Sequence, residues 1–141
     1  MKDDLAYVGE QVPGYEGYGD ELTRHASDVR IRTTVGAKLA EARAAHASEL
    51  DADALKALDA VILQCVFADQ DFVKTIEHAD LHAEANASLV GLDRKLVELA
   101  ERVERGDAVE LSACVAEIEA NFAARLAALA PYRGLESRPA R

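Results

Sequence analysis

Apolar residues recur three and four positions apart over four stretches of this chain, with polar residues filling the intervals. Ile31, Val35 and Leu39 form the first row. Leu55, Leu58, Ile62 and Cys65 form the second. The third holds Ala85, Leu89, Leu92, Leu96, Leu99 and Val103, and the fourth Leu111, Val115, Ile118, Phe122 and Leu129. That period is the signature of a helix with one face turned to a core.

The punctuation between rows predicts where the helices begin and end. A first helix is expected from about Asp20 to Ser48, with Asp20 or Gly19 as its cap and a weak point at Thr33-Thr34 and Gly36. Asp51 or Asp53 caps the second, which ends or kinks at Ala68-Asp69-Gln70-Asp71. The third runs from about Asp71 to Arg105 and stops at Gly106. Asp107 with Glu110 three residues on opens the fourth, and Pro131 stops it. The links are short, which favours antiparallel neighbours. The expected fold is therefore all-α: an up-down-up-down four-helix bundle over residues 20–131. An irregular lead-in over 1–19, rich in Gly and Tyr, precedes it, and a frayed tail over 132–141 follows.

Each row continues into polar positions. Backwards from Ile31 the same face carries Asp28 and Arg24, and backwards from Ala85 it carries His82 and His78. Forwards from Cys65 it reaches Asp69, and between Phe122 and Leu129 it holds Arg125. In a bundle of alternating direction all six belong to one end. The expectation is a polar cluster of Arg24, Asp28, Asp69, His78, His82 and Arg125. Arg24 and Asp28, one turn apart, can pair locally, and Arg125 can meet Asp69 across the bundle or reach solvent.

Three chemistries fit those residue types. A salt-bridged or solvated end with no ligand is the plainest, and on it no cofactor is expected. A divalent metal held by His78 and His82 with Asp28 and Asp69 is the alternative, since two histidines four apart on an inward face can share an ion. The Glu-x-x-His pairs of di-iron bundles are absent from it. A small anion held by Arg24, Arg32 and Arg125 is the third.

Composition narrows the partners. The 141 residues fit one domain, and the net charge of −10 argues against nucleic acid, which needs clustered Lys and Arg. No run of apolar residues approaches a membrane span, and no signal peptide is read at the start. Cys65 and Cys114 lie on or beside apolar rows, as buried free thiols suited to a reducing cytoplasm would.

The stretch Val12-Pro13-Gly14-Tyr15-Glu16-Gly17-Tyr18, followed by Glu21, Arg24, Asp28 and Arg32, resembles a group of bacterial and archaeal helical proteins that begin with Pro-Gly-Tyr-x-Gly-Tyr. Leu92-Asp93-x-x-Leu96 is similar to the same group. The resemblance implies a helical fold with a structured lead-in and no assigned activity. Where the group carries a Tyr/Gly-rich middle segment, this chain has Phe67-Ala68-Asp69-Gln70-Asp71-Phe72. The run from His82 to Gly106-Asp107 is similar to histidine phosphotransfer domains, which place Lys-Gly after the phosphorylated histidine. Here Ala83, Glu84, Ala85 and Asn86 follow, and an acid in place of the lysine repels a phosphoryl group.

The function these features favour is a non-enzymatic helical interaction or scaffold domain, self-associating or bound to a protein partner. No nucleophile–base pair or phosphate loop stands in the sequence. Val61, Val66, Val73 and Ile76 widen the apolar face of the second and third helices.

Overall fold

The computed structural model describes residues 3–132, and among them the chain is all-helical, with no strand. Its helices are α1 (Asp4–Gln11), α2 (Arg24–His46), α3 (Ala52–Val66), α4 (Gln70–His78), α5 (Ala83–Arg105) and α6 (Ala108–Ala128). Short 3-10 turns follow α2 and α6. Four of the six are started by an aspartate whose carboxylate accepts a backbone N–H inside the first turn. These are Asp3 for α1, Asp51 for α3, Asp69 for α4 and Asp107 for α6.

The boundaries depart from the sequence reading in three places. The lead-in contains a helix, α1, which packs on α5. Asp20 does not cap α2: its carboxylate accepts from Leu22 N at 3.0 Å and its carbonyl from Thr23 N at 3.0 Å, closing a turn before the helix begins at Arg24. The helix expected over 71–105 is two, broken at residues 79–82. In a continuous helix the carbonyls of Ile76 and Ala79 would accept from the amides four residues on. Here the Arg24 guanidinium takes both, at 3.4 and 2.9 Å, so α4 ends and α5 starts afresh at its cap, His82.

α2 runs unbroken through Gly36. A Cβ at Gly36 would lie 2.9 Å from the Cys65 Cβ, so the glycine lets α2 and α3 approach closely. α2 packs on both α3 and α5, and α6 on both α5 and α3. Their shared core includes Ile31, Val35, Leu39, Leu58, Leu89, Leu96, Leu99, Leu111 and Ile118. Leu92, placed in the core row by spacing, is only half-buried; its neighbour Asp93 is fully buried. Val61 and Ile76 are also fully buried, so they widen the core, not an exposed face.

No helix among the described residues is long and apolar enough to cross a membrane. The tail expected to fray lies outside the described residues, apart from Tyr132 in the last 3-10 turn.

Candidate functional site

The polar layer is built around Arg125, one turn before the end of α6 and 2% exposed. Its Nε donates to Asp93 Oδ1 at 2.9 Å. Its Nη2 donates to Asp28 Oδ1 at 2.9 Å and to the Tyr18 hydroxyl at 2.9 Å. The guanidinium lies 4.4 Å from the centre of the Phe72 ring and 5.7 Å from that of Phe122. The rings give its flat faces polarisable contacts where water would otherwise sit.

Both oxygens of each carboxylate are engaged. Asp93 Oδ2 accepts from the Tyr15 hydroxyl at 2.7 Å and from the Tyr18 hydroxyl at 2.6 Å. Asp28 Oδ2 accepts from Arg32 Nε and Nη2, each at 3.0 Å, and Arg32 Nη1 donates to the Cys65 carbonyl at 2.9 Å. Tyr18 thus accepts from Arg125 and donates to Asp93, relaying between the two. All three hydrogen bonds to Asp93 come from donors, which favours the ionised carboxylate, while the nearby Asp28 charge opposes it.

Burial pushes the Asp93 carboxyl above its ordinary range, against the pull of Arg125 and of the two tyrosine hydroxyls. Burial also works against the Arg125 charge, but Asp93, Tyr18 and Asp28 more than offset it, and the group is held cationic. Tyr15 and Tyr18 are raised far above an ordinary phenol, first by burial and then by the Asp93 charge. Burial pushes the Cys65 thiol up to about 11, although Arg32 and Arg125 draw it down.

The structure brings Arg24, Asp28 and Arg125 into this region, all buried. Their pairing differs from expectation. Arg24 does not hold Asp28; its Nε donates to the Tyr18 carbonyl at 2.7 Å, and the rest of it caps α4. Arg125 does not meet Asp69. That residue is exposed and caps α4 by accepting from Phe72 N at 3.0 Å. The four residues expected to hold a metal are not brought together on one face. His78 is the last residue of α4 and His82 precedes α5, so the two share no helical face, and both are exposed. Among the described residues no group of three His, Cys, Asp or Glu side chains is placed to hold a metal ion. His82 also lies outside the helix that a phosphotransfer histidine would need; its ring is 5.8 Å from Tyr132, and its amide donates to the Tyr132 hydroxyl. The three-arginine anion pocket is not formed, because Arg24 and Arg32 direct their guanidinium groups at protein oxygens.

The spacing of the rows did not point to Asp93 as a member of this layer, nor to Tyr15 and Tyr18 from the irregular lead-in. Both tyrosines are buried, but their hydroxyls are what fix the lead-in to α5. The signal for Asp93 was present: it stands four after Leu89 and three before Leu96.

Beside the layer lies a cleft of about 410 Å³ between the end of α3, the start of α4 and α6. Phe67, Phe72, Phe122 and Leu126 form apolar walls, and Asp28, Arg32 and Arg125 also line it. Arg125 Nη1 has no hydrogen-bond partner among the described residues, and it is not one of the fully enclosed unpaired atoms. It therefore reaches the cleft. Comparison of the chain with protein-family models, curated proteins and solved structures gives no match to any of them.

Proposed function

We propose that this chain is a non-enzymatic helical interaction domain that associates with a second copy of itself through the end of α3. In this reading α2, α3, α5 and α6 form a four-helix bundle, supported by each of the four packing on two of the others. α1 and α4 cover its flanks, and Arg125, Asp93, Asp28, Tyr15 and Tyr18 hold the bundle to its lead-in. Those groups are engaged with one another, which suits a structural centre better than acid–base chemistry.

One observation carries the proposal. Leu63, Val66 and Phe67 are 54%, 62% and 71% exposed; Leu63 and Val66 are one turn apart at the end of α3, and Phe67 is the cap residue that follows, so the three cluster at that end. Isolated exposed apolar residues are ordinary, but a clustered row is the mark of a contact surface. The net charge of −10 opposes self-association at low salt, so screening should strengthen the dimer.

Sedimentation equilibrium tests this. The expected result is a reversible dimer that tightens from low to physiological salt and dissociates in the Phe67→Ser variant. A strict monomer at millimolar protein, or a dimer indifferent to Phe67→Ser, would remove the proposal.

A further inference from the structure

We infer that the cleft between α3, α4 and α6 is a binding site for a small aromatic or branched apolar molecule that carries one neutral carbonyl acceptor, such as an amide or ketone. The site adjoins the proposed dimer face and shares Phe67 with it, but its recognition group, Arg125, is on the cleft floor and no part of that face.

The volume, about 410 Å³, is in the range that encloses a small ligand. Three phenylalanines, Phe67, Phe72 and Phe122, together with Leu126, supply apolar walls. The orienting group is Arg125. It is 2% exposed, its Nε and Nη2 are fixed by Asp93, Asp28 and Tyr18, and the phenylalanine rings hold its plane. Nη1 is then an immobilised donor without an acceptor among the described residues. A fixed, unsatisfied donor on an apolar floor favours a molecule that brings one acceptor and an apolar body.

Charge decides which acceptor. Arg125 and Arg32 are balanced by Asp28 and Asp93 in direct contact, so the floor has no net positive charge to attract an anion. Asp69 and Glu119 also line the cleft and add negative charge. A carboxylate entering would lose its hydration and face these acids without an unpaired cation to compensate. A neutral carbonyl loses far less solvation and satisfies the same N–H. An amine would suit Asp69 and Glu119 but brings no acceptor for Nη1.

The experiment titrates the full chain with benzamide, benzoate and benzylamine, following the Arg125 Nε–H resonance by proton–nitrogen NMR. Benzamide should shift that resonance saturably, with a dissociation constant of about 1 mM, as befits a ligand of so few atoms. Benzoate and benzylamine should each bind at least about tenfold more weakly. Ala123→Phe, at an exposed position on the α6 wall, should abolish the benzamide shift while leaving the melting temperature in place. Gln64→Phe fills the cleft from α3 and serves if Ala123→Phe is unstable. No shift with benzamide at about 20 mM would overturn the proposal. So would benzoate binding as tightly as benzamide, or benzamide binding unaffected by a folded cleft-filling variant. Phe67 belongs to both surfaces, whereas Val66 is on the dimer face and does not line the cleft, so Val66→Ser should dissociate the dimer and leave the benzamide shift in place; the cleft is thereby decided separately from self-association.

Discussion

At the scale of single residues, the chain concentrates its electrostatic risk in one place. Removing one partner from a buried ion pair leaves a charge without compensation, which costs about 3–5 kcal/mol. Asp93→Ala leaves Arg125 with Asp28 alone and strands the Tyr15 hydroxyl, so a loss of that size is expected in urea unfolding. Adding Arg125→Met to Asp93→Ala should recover part of it, because Asp28 keeps Arg32 at 3.0 Å. A loss below about 1 kcal/mol for Asp93→Ala would show that solvent reaches the pair. The tyrosines give a prediction with a defined sign. Their folded pKa values lie above the ordinary phenol value near 10, so the unfolded chain releases these protons first. Stability is then unaffected below about pH 10 and falls as pH rises beyond it. Ultraviolet titration should show Tyr15 and Tyr18 ionising only together with unfolding; their smooth titration in the folded protein would contradict the burial of Asp93's partners. Why Asp93 escaped the sequence reading is instructive. An aspartate in an amphipathic helix is usually placed on the wet face, so the row was drawn through Leu92. Only the arrival of Arg125 and two hydroxyls from distant segments makes the buried position tolerable, and those partners are 32, 78 and 75 residues away.

At the scale of elements, local signals located the long helices because their causes are local. The rows at three and four spacing, the aspartate caps at Asp51 and Asp107, and the stop at Gly106 all act within a few residues. The break between α4 and α5 has a distant cause, the Arg24 guanidinium on the Ile76 and Ala79 carbonyls, and no signal near residues 79–82 announces it. That miss propagated: once the helix is cut, His78 and His82 lose the shared face on which the metal reading depended. α4 is nine residues long and rests on its cap, Asp69, as well as on Phe72 and Ile76 beneath it. Asp69→Ala should cost about 1 kcal/mol. Hydrogen exchange should speed up in α4, while the amides of α5 beyond its first turn keep their protection. Equal acceleration throughout α5 would mean that the two helices open as one unit.

At the scale of the molecule, the division into a lead-in and the long helices describes the sequence better than it describes the energetics. The lead-in brings Val8, Val12, Tyr15 and Tyr18 into the common core, all at most 5% exposed. Gly14 and Gly17 take positive φ, 87° and 71°, to turn the chain so that both tyrosines face α5. The Tyr18 amide also donates to Asn86 Oδ1 at 2.8 Å, and the Tyr18 carbonyl receives Arg24, which in turn ends α4. The segment therefore closes three connections at once: to α5 through Asp93 and Asn86, to α6 through Arg125, and to the α4–α5 break through Arg24. A chain beginning at Asp20 would uncover that apolar surface and leave Asp93 and Arg125 without the hydroxyls between them. The long helices retain their propensity, so such a chain should stay largely helical by circular dichroism. It should lose its sharp thermal transition and bind a hydrophobic dye, as helices without fixed packing do. A truncated chain that melted cooperatively at the full-length temperature would mean that the lead-in is an accessory, and that the buried arginine layer is assembled by the long helices alone.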